Sequence, residues 1–484
     1  MAGVSRRSVR SVLIPLAAGV LLLVGAGPGA ATAAAPVAVV TASGLPGVTV
    51  QPTGPVRVTG RGFRAQQPVR VLLDGVQIAT TTAGDYGRVF VQVRVPAGTH
   101  PGMHTLAVRQ VTPARFASTR LAVHVDWPMS AGNTRASYSS ALSNTLGPAD
   151  ATSLSVLWHH DQPGMRAGTV VNGVVYISWA LQDAYHDEGA VYALDAATGK
   201  QLWRSASPVG PISAAPTLFD GKLWVIDTGG EIHNFDPATG EQIGEEFHTD
   251  CGEDGNPNGL QIAGDLLVCV RRFNTAVIDP HSRRQLWSAQ VGDGEPVAVI
   301  DGTIFAGGST LTALDLATGK VRWTAPAPEG GRGTRGPVAA GNGQLYASWS
   351  GGQVGAYDQA TGTTRWLHQS TDQLGGGHLA VFNDTVYVVG FDQENWTTLH
   401  ALDTATGQLR WTGTGASESN LIAVANGVVY YNIRGDDPTV SFTAADAATG
   451  KVLGYSPRTP LSYGGLSIAD GHLYFPDGGF TAIS

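Results

Sequence analysis

From residue 150 onward the chain repeats itself, and a tandem repeat narrows the choice of fold more than any isolated motif does. Each copy holds an apolar stretch, a turn with Gly, an apolar strand and a second strand ending in Asp. The tetrapeptide x-x-Thr-Gly and a strand ending in Trp follow. The clearest copy is Val191-Tyr192-Ala193-Leu194-Asp195-Ala196-Ala197-Thr198-Gly199-Lys200-Gln201-Leu202-Trp203. Others centre on Asp315 with Gly319 and Trp323, on Asp358 with Gly362 and Trp366, and on Asp403 with Gly407 and Trp411. Degenerate copies centre on Asp236, Asp279 and Asp446. Successive Thr-Gly points lie 36 to 45 residues apart, the length of a four-stranded blade.

The chain therefore reads as all-β, with a β-propeller over residues 150–484. Seven copies run from Asp195 to Asp446. An eighth begins at Ile468-Ala469-Asp470-Gly471 and stops at Ala482-Ile483-Ser484, before its last strand. Leu154-Ser155-Val156-Leu157-Trp158 has the look of that missing strand, Trp included. Joining the two closes an eight-bladed ring and leaves no free sheet edge.

The spacing A-x-D-x-x-x-G-x-x-x-W resembles the PQQ-like propeller repeat of quinoprotein alcohol dehydrogenases and of BamB-type assembly lipoproteins. That resemblance implies that each indole docks on the neighbouring blade, stacking near the Gly and the Ala of the repeat. It places Trp203 with Ala193 and Gly199, Trp323 with Ala313 and Gly319, Trp366 with Ala356 and Gly362, and Trp411 with Ala401 and Gly407. Trp287 keeps its position, but Val277 and Arg283 stand where its small partners would be, and Gly244 and Gly454 replace Trp altogether. Together with Trp158, these residues are read as structural. A buried indole covers a large apolar area, an Asp braces its turn, and a Gly supplies a backbone shape other residues resist.

Residues 1–34 read as an export signal. Arg6, Arg7 and Arg10 precede an apolar run from Val12 to about Val24, and Ala31-Thr32-Ala33 offers a cleavage site. Ser5-Arg6-Arg7 leaves general and twin-arginine export both open. Residues 37–126 alternate apolar and polar in about seven short runs, with Asp74-Gly75 as a hairpin turn. With Val58-Thr59-Gly60-Arg61-Gly62-Phe63 and Pro101-Gly102-Met103-His104-Thr105, this segment resembles bacterial Ig-like domains of the IPT type, which implies a β-sandwich spacer or adhesion module. Residues 127–149 are left as a linker.

Charge excludes one class of partner. The net charge is −8, and losing three N-terminal arginines takes it to −11; a nucleic-acid binder needs a basic footprint. No segment after the signal is long and apolar enough to span a membrane. Cys251 and Cys269 are the two cysteines, and an exported chain permits a disulfide between them.

In a propeller, strands A to D run outward from the axis. The A–B and C–D turns share one face; the B–C loops and D–A links share the other. Irregular sequence gathers on the second face, and loops on a rigid scaffold carry function. Asp254-Gly255-Asn256-Pro257-Asn258-Gly259 matches the start of a calcium loop, but Asp265 at its twelfth position falls in an A–B turn on the opposite face. A solvated turn is the better reading. Acidic pairs mark three B–C insertions: Asp187 and Glu188, Asp392 and Glu394, Asp436 and Asp437. Arg332, Arg335 and His378 lie in links around blade five. The neighbours His159 and His160 point to opposite faces of a strand and cannot share a metal.

The expected function is that of a secreted or cell-surface binding or scaffold protein, monomeric, taking an extracellular protein or glycan on the irregular face. No catalytic residue or cofactor is assigned. The alternatives are a quinoprotein dehydrogenase dependent on PQQ and calcium, or an enzyme acting on cell-envelope glycans. PQQ enzymes of this fold carry adjacent cysteines over the cofactor, and the two here are eighteen positions apart.

Overall fold

The computed structural model describes residues 39–44 and 50–484, apart from 113, 130, 131, 134, 137, 141–144, 183–186, 207–209, 213, 252–258, 272, 293–296, 335, 371–377, 392–396, 417–421, 435–438, 458 and 461–464. The segment read as an export signal lies outside the described residues.

Seven antiparallel strands between Val39 and Val123 form two sheets, one of three strands and one of four. Their alternation puts every second residue inside. Val56 and Val58 from one sheet meet Val69, Val71, Leu106 and Val108 from the other in a single core, while Arg57, Arg70 and Arg109 point outward.

From Met165 to Ile483 the described residues form successive antiparallel sheets of the propeller-blade type, four-stranded except for the seventh, which Ser139–Ser140 and Thr459–Pro460 extend to six strands. Sheet 1 comprises Met165–Val171, Val174–Gln182, Asp187–Asp195 and Gln201–Arg204, and sheets 2 to 7 follow within residues 217–248, 260–289, 298–326, 339–369, 379–416 and 422–455. In sheet 8, Ser467–Ala469, His472–Pro476 and Phe480–Ile483 come from the C-terminus, and the fourth strand is Val156–His160. Trp158 stands opposite Ala482. Small groups bridge neighbouring inner strands: the Ser467 hydroxyl donates to the Gly168 carbonyl at 2.7 Å, and Gln261 both donates to and accepts from the Val297 backbone.

The indoles dock on the neighbouring sheet, as the resemblance implies, but the glycine each one meets is that of the next copy and not that of its own. Trp203 Nε1 donates to the Pro237 carbonyl, and a Cβ on Gly240, not Gly199, would strike its ring at 2.4 Å. Gly199 instead receives Trp158, Gly319 receives Trp287, Gly362 receives Trp323, Gly407 receives Trp366 and Gly450 receives Trp411. The same-sheet alanine is retained, since Ala193 faces Trp203 across the ladder. This rule explains both degenerate copies. Where sheet 3 has Arg283 in place of Gly, sheet 2 has Gly244 in place of Trp, and the Arg283 guanidinium fills the space over Gly244 and Phe247. Gly454 replaces the indole of sheet 7, and the carbonyl of Ala151, in the 3-10 turn Asp150–Thr152, closes over it.

Each repeat aspartate braces its C–D turn. Asp403 Oδ1 accepts from the Thr406 N–H at 2.8 Å and the Thr406 hydroxyl at 2.9 Å. The arginine before the indole closes the bracket in three sheets, pairing Arg322 with Asp315, Arg365 with Asp358 and Arg410 with Asp403. Those guanidinium bonds hold the three carboxyls at about 2. Cys251 and Cys269 form a disulfide inside the apolar layer between sheets 2 and 3.

Residues 124–146 follow the inner strands from sheet to sheet. Val125 exchanges backbone and carboxylate bonds with Asp470 of sheet 8, and Trp127 exchanges two backbone bonds with Val170 of sheet 1. The Pro128 carbonyl accepts from Leu218 of sheet 2, and the Met129 sulfur accepts from Ile262 of sheet 3. The Arg135 carbonyl accepts from Ala340 of sheet 5, and the Ser139 hydroxyl donates to Val381 of sheet 6. Ser139–Ser140 then pairs in parallel with sheet 7. The described residues of this strap bond to seven sheets, in the order 8, 1, 2, 3, 5, 6 and 7, at or beside the first strand of each.

The strap also fastens the N-terminal sheets to the A–B turns. Asp126 accepts from Gln51 and from the Asn172 N–H, each at 2.9 Å. His124 Nδ1 lies 2.8 Å from Asp470 Oδ2. That bond raises the His124 pKa above its usual 6.5 despite burial. The stabilisation is full below pH 6.5 and is lost as pH rises through the elevated value. The advantage of the wild-type chain over His124→Gln in thermal unfolding should therefore be largest near pH 6 and vanish in mildly alkaline buffer; a constant advantage across that range would refute the pairing.

Candidate functional site at the B–C ends

The A–B end of the inner strands is occupied by the strap. Beneath it lies a cavity of about 560 Å³ bounded by Trp127, Asn133, Arg135, Asn342 and Phe382. The opposite end, where strand B turns into strand C, is the candidate site.

The repeat register aligns one residue per sheet there, six positions beyond the second residue of the A–B turn. Counting from Gly173, Gly221, Asp265, Gly343 and Gly471, it is Trp179, Asp227, Arg271, Trp349 and Asp477. The residues just before them, Ser178, Ile226, Val270, Ser348 and Pro476, are small or apolar, and the other three sheets have Gly308, Gly390 and Ile433 at this position.

Asp227 and Asp477 are both buried, at 5% and 3% exposure, yet their environments diverge. Asp227 accepts the N–H groups of Gly210, Gly229 and Glu231, and His233 Nε2 at 3.2 Å. Burial opposes its charge, but His233 and those backbone donors outweigh burial and hold the carboxyl below its ordinary range. Asp477 has fewer donors. The Thr481 hydroxyl donates to Oδ2 at 2.6 Å, and His159 approaches Oδ1 at 3.3 Å. Burial prevails and pushes the Asp477 carboxyl up. His159 Nδ1 also donates to Thr481 Oγ1 at 2.7 Å, and its ring is 39% exposed. The chain His159–Thr481–Asp477 thus links a buried carboxyl to solvent, an arrangement able to pass a proton.

Arg271 is 3% exposed, and its Nε and Nη2 have no hydrogen-bond partner among the described residues. Buried guanidinium N–H groups without a partner are costly, and they offer directional donors to an anionic group. In sheet 1, Arg204 stacks over Trp179 and Tyr192, at 5.4 Å and 5.7 Å from the ring centres, and bonds the Tyr192 hydroxyl.

Most of the loop residues singled out in the sequence, Asp254, Asn256, Asn258, Arg335, Asp392, Glu394, Asp436 and Asp437, lie outside the described residues. Glu188 is exposed opposite Leu181, and Asp187 stands opposite Gln182 in the ladder. Arg332 is exposed, with its N–H on the Ser350 hydroxyl. His378 stacks on Tyr138 of the strap at 4.9 Å, so its ring is committed to packing. Asp227, Arg271 and Asp477 escaped the sequence reading. Asp227-Thr228-Gly229-Gly230 and Asp477-Gly478-Gly479, two Asp-Gly-rich B–C turns, were the available signal.

A family model described as outer membrane protein assembly factor BamB matches residues 143–243, 187–348, 271–371 and 350–479. The chain belongs to the BamB family. The BamB of Burkholderia pseudomallei is 29% identical over 269 residues, covering 44% of this chain and 68% of that protein. Tetrathionate hydrolase of Acidithiobacillus ferrooxidans is 24% identical over 165 residues, 29% of this chain and 32% of its own length. Among solved structures, quinohemoprotein alcohol dehydrogenase from Comamonas testosteroni superposes with a TM-score of 0.58 at 14% identity, covering 74% of this chain and 80% of that one. BamB from Moraxella catarrhalis superposes with a TM-score of 0.51 at 15% identity, covering 68% and 97%. At such identities the structures speak for the fold alone.

The fold is thus shared by BamB proteins and by cofactor-dependent dehydrogenases. The residues of this member do not fit a quinone site of the usual kind. Its cysteines are not adjacent, and their disulfide is sealed between sheets 2 and 3. Among the described residues no three His, Cys, Asp or Glu side chains converge as a metal site. No helix among them is long and apolar enough to cross a membrane.

Proposed function

We propose that this BamB-family chain is an exported, non-catalytic binding scaffold that takes an extracellular protein or glycan on the B–C face of a closed eight-bladed ring. In this reading the N-terminal sheets are an Ig-like sandwich that holds the ring by its other face. The observation that carries the proposal is the strap, which takes up the A–B end of seven sheets and leaves the B–C end for a ligand. Arg271 supports it as a buried donor for an acidic group of the partner. The acidic rim (Asp187, Glu188, Asp392, Glu394, Asp436, Asp437) and Arg332 and Arg335 would border the contact.

The test is capture from the native cell envelope with the intact chain as bait, followed by affinity measurement with the captured partner. Arg271→Gln should weaken binding about 10–100-fold, the effect of losing a charge-assisted hydrogen bond. Unchanged affinity with Arg271→Gln and with all four of Asp392, Glu394, Asp436 and Asp437 neutralised would overturn the assignment of the face. A second reading, a quinone-dependent dehydrogenase, draws on the superposition with the alcohol dehydrogenase. Reduction of an artificial electron acceptor by an alcohol or sugar, with PQQ and calcium supplied, would replace the binding proposal with it.

A further inference from the structure

Charge is divided unevenly along this chain. Residues 39–126 contain nine arginines, no lysine and three aspartates, a net +6, whereas residues 150–484 hold 17 basic against 35 acidic residues, a net −18. None of the nine arginines makes a salt bridge among the described residues, and all but Arg115 are exposed.

Three of them share one surface. In the four-stranded sheet, Arg70 stands opposite Arg109, Arg109 opposite Phe116, and Thr105 opposite Arg120. Between these rows lie Leu72 and Ala107, also opposite one another. Residues at alternate positions point the same way, so Met103, Ala107 and Arg109 lie on one side of the sheet with Leu72 and Phe116. Met103 is 55% and Phe116 61% exposed among the described residues. A groove of about 490 Å³ runs over Leu72, Ala107, Arg109 and Phe116. The result is a flat face with an apolar centre and a guanidinium rim that makes no salt bridge among the described residues, with Asp74 as an acidic neighbour of Arg120.

We propose that this face docks on an anionic phospholipid surface. Its rim would meet phosphate groups while Phe116 and Met103 enter the interface between headgroups and chains. An amphipathic cationic surface is what such an interface selects. The strongly acidic propeller would be repelled by the same surface, so the two halves together orient the molecule with its propeller turned away from the bilayer. A wholly soluble polyanion would use the rim but gain nothing from the apolar centre.

The full chain should sediment with phosphatidylglycerol-containing vesicles and not with phosphatidylcholine vesicles. Replacing Arg70, Arg109 and Arg120 together by Gln should weaken this about a hundredfold, taking about fivefold for each basic residue at the surface. Phe116→Ser should also weaken it, and that loss should persist at raised salt. Each substituted position is exposed, and unchanged unfolding midpoints verify that the fold is intact. The proposal is overturned by equal binding to both vesicle types. It is also overturned if Phe116→Ser has no effect while polyphosphate or DNA binds as tightly, which would make the face a general polyanion site. Equal loss from Arg57→Gln, Arg61→Gln and Arg94→Gln, on the other sheet, would refute the assignment to this face.

Discussion

A chain ending at Gly479 should show no cooperative thermal unfolding. The strand it loses, Phe480–Ile483, sits between His472–Pro476 and the N-terminal strand Val156–His160. Phe480, Ala482 and Ile483 are fully buried. Burying the Phe and Ile side chains alone contributes roughly 3–6 kcal/mol, a large share of the roughly 5–15 kcal/mol that separates a typical domain from its unfolded state. Two sets of backbone bonds go with them, and both neighbouring strands become open edges. Circular dichroism melting with gel filtration reads the outcome directly. A truncated chain that melts as one sharp transition near the full-length midpoint would show that the last strand is dispensable.

The second large effect concerns the indole relay. Trp366→Ala should cost about 3–5 kcal/mol, the usual range for a large aromatic emptied from a packed site. It deletes the bond from Nε1 to the Thr404 carbonyl at 2.9 Å and uncovers Gly407 of the next sheet. Gly407→Val should be of similar severity for a different reason. Its φ of 71° is left-handed, and an added Cβ would lie 2.5 Å from the Trp366 ring. Gly427→Ala is the comparison: its φ of 78° is equally left-handed but its Cβ would meet nothing within 4 Å, so only the backbone cost of about 1–2 kcal/mol applies. Because Trp366 and Gly407 form one contact, the double substitution should cost less than the sum. Strict additivity in denaturant titrations would disprove docking between sheets.

These expectations draw on features of uneven visibility in the sequence. The repeat exposed the sheets because each copy must satisfy the same strand and turn requirements. The orphan strand ending in Trp158 was visible for the same reason. The resemblance put each indole on the neighbouring blade, but the spacing alone does not say which copy's glycine it meets. The degenerate copies did hold that information: Gly244 and Arg283 depart from the pattern in consecutive copies, as a contact between sheets requires. The strap was illegible because it bonds chiefly through its backbone, which leaves no mark on residue choice. Asp227, Arg271 and Asp477 were hidden by their regular neighbours, and emerge only when the strands are set in register.

The strap has a consequence for the order of assembly. The strap is made before any of the blade-type sheets it bonds to, while the strand that pairs with Val156–His160 comes more than three hundred residues after that partner. Contacts separated by more than three hundred residues, such as His124 with Asp470, must therefore wait for the whole polypeptide. Folding governed by such distant contacts is slow, and half-made chains expose sticky edges.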